Sequence, residues 1–268
     1  MTPDRSIALL GLPTDEASSS VRGSAQGPAG VRDALYSDAS NLWSEGGVHL
    51  GEEERFEDVG DLTLSGGAET RAEIEAAVDR HLSSGSRTIC LGGDHSVAYP
   101  ILRAYGRHFP RLTVLQVDAH PDLYDNFEGD RYSHACPFAR VMEEECVGRL
   151  VQIGIRTATA HQREQAARFG VEMLPREAWL DLEALAIEPP VYLSIDLDGF
   201  DPAYAPGVSH LESGGLTSAE VLSILRGLPG LVGADVVELN PQRDVNGITA
   251  ALAAKLVKEL VATMLHSD

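Results

Sequence analysis

Short apolar runs recur along the chain, each closing near a Gly or Asp and each followed by a longer stretch with helical spacing. The runs at 7–10, 88–91, 112–117, 150–155, 191–195 and 235–239 are too short for buried helices and rich in β-branched residues, which predicts strands. Between them, 69–82, 99–108, 162–169 and 217–226 carry helix formers with apolar residues three and four apart, which predicts helices. The clearest helix start is Thr217-Ser218-Ala219-Glu220, which has capping-box spacing after the turn-forming Gly214 and Gly215. Strand alternating with helix predicts an α/β protein of three αβα layers around a doubly wound, mainly parallel sheet. No repeat, low-complexity tract or linker interrupts the pattern, so residues 1–268 read as one domain. The Ser-, Gly- and Ala-rich segment 14–30 reads as a loop near the active face.

Charge narrows the set of partners. The formal net charge is −20, from 21 basic and 41 acidic residues, so nucleic acid and anionic membranes are repelled while a cationic substrate or a metal is favoured. Most of these carboxylates read as solvated surface. The chain has no 18-residue apolar run, and its start lacks the basic and apolar regions of a signal peptide, so the expectation is a cytoplasmic protein. Cys90, Cys136 and Cys146 lack the paired spacing of a zinc site or a disulfide framework and are expected as reduced thiols.

Ligands of an open parallel sheet bind outside the carboxyl ends of its strands, and the polar residues with chemical potential stand there. Leu91 is followed by Gly92-Gly93-Asp94-His95, Val117 by Asp118-Ala119-His120-Pro121-Asp122, and Ile195 by Asp196-Leu197-Asp198. A fourth run contains Glu238 before Asn240-Pro241. Alternation puts Asp118, His120 and Asp122 broadly on one side, and Asp196 with Asp198. Four carboxylates and two imidazoles brought together would repel strongly unless divalent ions neutralised them. The oxygen-rich shell suits manganese, and ligand type alone leaves zinc, cobalt and iron open. A metal pair about 3.5–4 Å apart activates water, which points to hydrolysis. His134 could deliver a proton to a leaving amine. Glu238 could pair with a cationic substrate or, alternatively, orient a metal-bound histidine. Asp94 reads as a turn or supporting residue, and His210 could approach the pocket mouth. His49, His81, His108, His161 and His266 read as ordinary surface or core histidines.

These motifs, in order and spacing, resemble the ureohydrolase family of arginases and agmatinases over nearly the whole chain, including Asp201-Pro202, Ala205-Pro206-Gly207 and the stretch from Asp235 to Pro241. The resemblance implies an arginase-like fold, two Mn2+ per subunit and a homo-oligomer, commonly a trimer or hexamer. It also implies that His95, Asp118, Asp122 and Asp196 hold one ion and Asp118, His120, Asp196 and Asp198 the other. Glu238 would grip a guanidinium whose carbon is attacked by activated water, and His134 would protonate the leaving amine to give urea and a primary amine. Arg22-Gly23, Gly27-Pro28 and Arg32 are similar to the family's loop before its first helix.

One loop departs from the arginases, which carry Asn and Ser there for the substrate's α-carboxylate. Here 123–133 is one residue shorter, with Tyr124 and Asp130 nearest those positions. An aspartate would repel a carboxylate, so Asp130 is read as substrate-binding and agmatine, yielding putrescine, is the expected substrate. Arg131 could neutralise Asp130 or itself meet an acid, and Cys136 stands where the family has Thr or Ser. Competing readings are an arginase, a guanidino-acid or formiminoglutamate hydrolase, a single-zinc deacetylase-like amidohydrolase and a non-catalytic metal-binding protein.

Overall fold

The computed structural model describes residues 6–181 and 185–267, so the extreme ends of the expected 1–268 domain, including the start read for a signal peptide, and 182–184 lie outside it. Eight strands, β1 (Ile7–Leu12), β2 (Phe56–Asp61), β3 (Arg87–Gly92), β4 (Thr113–Val117), β5 (Arg149–Ile153), β6 (Glu172–Met173), β7 (Val191–Asp196) and β8 (Leu231–Val237), form one sheet. Their order is β2-β1-β3-β8-β7-β4-β5-β6, and every pairing is parallel.

Both faces of this sheet are covered, which is why its central strands read as unbroken apolar runs. Side chains alternate between faces. Leu9, Leu91, Leu115, Val117, Ile153 and Ile195 join one core, and Leu10, Cys90, Val114, Leu150 and Tyr192 join the other. Helices α1 (Gly27–Leu35), α6 (Ser218–Gly227) and α7 (Ile248–His266) close the first face, while α2 (Glu69–Ser83), α3 (Ala98–His108), α4 (Pro137–Glu143) and α5 (Ala160–Phe169) close the second. The expected three-layer α/β architecture is therefore the observed one. The capping box at α6 forms reciprocally: Glu220 N–H donates to Thr217 Oγ1 at 3.2 Å and Thr217 N–H to Glu220 Oε2 at 2.7 Å.

Several elements carry no clear signal in the sequence, each for a physical reason. Strand β2 is a half-exposed edge with charged residues and β6 is a two-residue edge, arrangements that blunt edge pairing and erase periodicity. Helix α7 is buried around most of its circumference, so it has no polar stripe to set a helical period. Helix α1 begins at Gly27 inside the stretch expected to be loop, because Pro28 sits in its first turn, where a missing N–H costs nothing. Strand β8 starts at Leu231, before the expected 235, and ends at Val237, leaving Glu238 just beyond it. Among the described residues, no helix is long and apolar enough to cross a membrane.

The sheet's functional edge is pinned to segment 14–20 at Gly93. Asp94 N–H donates to the Thr14 carbonyl at 2.9 Å, and a Cβ on Gly93 would stand 1.7 Å from that carbonyl oxygen. Backbone would have to move to admit it, so Gly93→Ala is expected to cost about 2 kcal/mol or more of stability. Urea unfolding checks this, and an unchanged midpoint would contradict the packing.

Candidate metal centre

The four central strands β3, β8, β7 and β4 are neighbours, and their carboxyl ends carry the expected residues to one place. His95 opens a 3-10 turn after β3, Asp118, His120 and Asp122 follow β4, Asp196 ends β7 and Asp198 lies in the next turn. Glu238 follows β8. All are buried except His120, which is half-buried. Asp122 and Glu238 adopt left-handed backbone, with φ of 50° and 66°, a conformation that costs a non-glycine residue about 1 kcal/mol or more and collects at functional sites.

Three aspartates spend one oxygen on a backbone N–H and present the other to a common centre. Asp118 Oδ1 accepts from His120 N–H at 2.6 Å, Asp196 Oδ1 from Asp198 N–H at 2.8 Å, and Asp198 Oδ1 from Ala119 N–H at 3.1 Å. The second oxygens of Asp118, Asp122 and Asp196 lie 3.1, 3.1 and 3.2 Å from His95 Nδ1. Yet this buried nitrogen makes no properly directed hydrogen bond. Its protonation follows from the other side of the ring. Ser194 Oγ gives its only hydrogen to Asp235 Oδ1 at 2.7 Å, so it must accept from His95 Nε2 at 3.0 Å. In the neutral ring Nδ1 then has a bare lone pair facing three carboxylate oxygens. Metal–ligand bonds of about 2.0–2.2 Å place neighbouring ligands of an octahedral ion about 3 Å apart. The donor set therefore fits a divalent cation. A second set shares Asp118: His120 Nδ1 is 3.0 Å from Asp198 Oδ2 and 3.7 Å from Asp118 Oδ1.

A cleft of about 200 Å³ opens over this cluster, a size that suits one small molecule. Glu238 reaches it with one oxygen already committed, since Oε1 accepts from His95 N–H at 3.0 Å and pairs with His134 Nδ1 at 2.8 Å. No hydrogen bond of the described residues uses Oε2. Burial disfavours charge on both partners, but the pairing outweighs it, holding Glu238 low and His134 up at about 9. His210 also lines the cleft, its ring 5.9 Å from that of His120 and 5.5 Å from that of His134. Asp94 works from behind, capping the turn at Ser96 and accepting from Ala17 N–H.

The loop at 123–133 contributes Tyr124 and Phe127 to the cleft but does not bring Asp130 there. Asp130 is exposed, and its carboxylate accepts Tyr132 N–H at 2.8 Å. Arg131 pairs with Asp125 and Glu143, each at 2.8 Å, and so is not Asp130's counter-ion. Cys136 is buried and donates to the Asp130 carbonyl; burial pushes its thiol up to about 12, which keeps it neutral.

Sequence reasoning missed the residues that brace the ligands. Gln116 donates to Asp118 Oδ2 at 2.7 Å, Gln152 fixes Gln116 at 2.6 Å, and Tyr192 donates to Asp235 at 2.9 Å. The available signal was a polar residue inside a buried apolar strand, which must find a partner.

With the geometry established, the relatives are informative. The profile described as Arginase family matches residues 5–263. A mitochondrial arginase 1 of Oryza sativa subsp. indica is 42% identical over 96% of this chain and 81% of its own length. An agmatinase of Serratia proteamaculans is 34% identical over 96% of this chain and 87% of its own length. The solved structure of an arginase from Medicago truncatula superposes with a TM-score of 0.89 at 41% identity, covering 97% of this chain and 88% of the other.

Protons must leave the metal-free cluster before cations enter. Burial and then the charge of Asp118 raise Asp122 to about 6, and burial with Asp198 and Asp118 raises Asp196 well above the carboxylate range. Burial opposes charge on His95 and His120, but their carboxylate neighbours prevail, lifting His95 strongly and His120 to about 12. Divalent-ion affinity is therefore expected to rise as pH rises from about 6, with protons released on binding. Calorimetry in buffers of different ionisation enthalpy reads both effects, and pH-independent uptake would contradict this site.

Proposed function

The chain belongs to the arginase family, whose members are hydrolases of the C–N bonds of guanidino compounds, and from that premise we propose that it converts L-arginine to urea and ornithine using two manganese ions. His95, Asp118, Asp122 and Asp196 would hold one ion, and Asp118, His120, Asp196 and Asp198 the other. The observation that carries this reading is the bare His95 Nδ1 among three carboxylate oxygens, next to a glutamate with one oxygen open to the cleft. All of these side chains come from one chain, so the oligomer expected from the resemblance need not complete the site.

When bound, a dication pair supplies water activation near neutral pH and charge stabilisation beside the guanidinium carbon. The protein's own groups do the rest. Glu238 Oε2 accepts from the guanidinium and sets its carbon over the cluster, while Oε1 stays on His95 N–H and His134. His134 carries a proton 2.8 Å from Glu238, beside the position a leaving nitrogen takes, and protonating that nitrogen makes it a viable leaving group.

Arginine is preferred to agmatine on two grounds. Asp130, the residue that spoke for a substrate without a carboxylate, is outside the cleft and occupied by Tyr132 N–H. At the mouth, Thr157, Thr159 and Gln162 stand at the start of α5, where a helix N-terminus favours an anion. The higher identity to an arginase, 42% against 34% for an agmatinase, leans the same way. Agmatine remains the second reading, because no Lys or Arg among the described residues lines the cleft to meet a carboxylate.

Manganese-loaded protein is expected to release urea from arginine with kcat/KM roughly tenfold or more above that for agmatine. A reversed preference would sink the substrate choice and leave the hydrolase intact. Glu238→Gln is expected to lower kcat/KM roughly 100-fold, as losing one partner of a desolvated charge pair does; retention of activity would remove Glu238 from substrate binding.

A further inference from the structure

Segment 14–20 lies against the loop that carries His134. Buried Asp94 accepts from Ala17 N–H at 3.0 Å and from the Ser18 hydroxyl at 3.3 Å, and the Ala17 carbonyl takes His134 N–H at 3.1 Å. Held this way, the segment sets Ser19 on the far side of the His134 ring from Glu238. The Ser19 backbone N–H is 3.1 Å from Nε2, and the Ser19 hydroxyl is 2.9 Å from the same atom. Ser19 also lines the cleft.

These two contacts differ in kind. A backbone N–H can only donate, so it requires a lone pair on Nε2, and the ring hydrogen must then be on Nδ1, where it donates to Glu238. A hydroxyl both donates and accepts. It can donate to a bare Nε2 and, after rotating, accept from a protonated one. Glu238 and the other nearby carboxylates pull a second proton onto the ring, and the Ser19 N–H opposes it.

We propose that Ser19 is a positioning residue for proton delivery: it holds His134 in the Nδ1–H tautomer, and its hydroxyl keeps Nε2 bonded when the second proton arrives. The inference rests on the reading of His134 as the proton donor. Without the hydroxyl, a protonated Nε2 meets only an opposing N–H, so the acid form loses support while the substrate's own contacts at Glu238 and the metal ligands are untouched. Proton delivery suffers and substrate binding does not.

In the manganese-loaded protein, Ser19→Ala is expected to lower kcat roughly tenfold or more, the size of one hydrogen bond to a charged group, with KM within about twofold of wild type. Ser19→Thr, which keeps the hydroxyl, should restore most of kcat. Nitrogen-15 histidine spectra of zinc-loaded wild type, recorded where the His134 ring is neutral and with His134 assigned by its disappearance in His134→Asn, should show hydrogen on Nδ1 and a bare Nε2. Unchanged kcat in Ser19→Ala, an equal loss in Ser19→Thr, or hydrogen on Nε2 in the neutral ring would each overturn the role of Ser19. If His134→Asn itself keeps near-normal urea release, the reading of His134 falls and this inference with it. An inactive His134→Asn beside a fully active Ser19→Ala overturns only the inference.

Discussion

Carboxylate oxygens crowded around one buried imidazole nitrogen are the constraint on which the rest of the site depends. His95 Nδ1 has three of them within 3.2 Å and no directed hydrogen bond, an arrangement stable in a low-dielectric interior only with positive charge between them. The surrounding residues keep that centre free for a cation. Backbone N–H groups occupy the outer oxygens of Asp118, Asp196 and Asp198. Ser194 and Asp235 anchor the far nitrogen of His95, and Gln116 and Gln152 brace Asp118 from the strands behind.

A parallel sheet delivers such a cluster with little loop structure. Its strands all end at one edge, so residues from the last position of a strand to five beyond it, at β3, β4, β7 and β8, converge without long connections. The convergence has a local cost in the left-handed backbone of Asp122 and Glu238. At Glu238, charge-assisted bonding to His134 and to His95 N–H holds the residue in place despite that conformation.

The convergence of candidate residues was legible where polar residues directly follow apolar runs, because strand ends in this architecture share one edge whatever the intervening loops do. His95, Asp118, His120, Asp122, Asp196, Asp198, His134 and Glu238 all arrive there. Asp130 was different, since side-chain direction within an irregular loop has no periodicity to read, and a short Phe127–Asp130 turn points it to Tyr132 N–H. Gln116, Ser194 and Asp235 were hidden inside strand runs whose apolar character dominated the pattern. Ser19 lies in a segment without secondary structure, and only its three-dimensional neighbours give it a role. Among whole elements, edge strands and the deeply buried α7 lacked the amphipathic contrast on which such reading relies.

Charge accounting links the metal shell to the choice of substrate. The four aspartates of the cluster would be balanced by two dications, and Glu238, already paired with His134 through Oε1, would meet a guanidinium through Oε2. Because Glu238 Oε1 also accepts from the backbone N–H of His95, the group proposed to grip substrate is fixed to the segment proposed to supply a metal ligand, and the two loadings would support one geometry. Specificity is then left to the mouth, where hydroxyl and amide groups of Thr157, Thr159 and Gln162 replace charged side chains. Neutral donors and acceptors of this kind tolerate a zwitterionic tail, whose opposite charges each find a partner. They offer a second lone cation no compensating carboxylate. The absence of basic side chains among the described lining residues is therefore compatible with an amino acid, and on that proposal the mouth would bind the α-ammonium as well as the α-carboxylate.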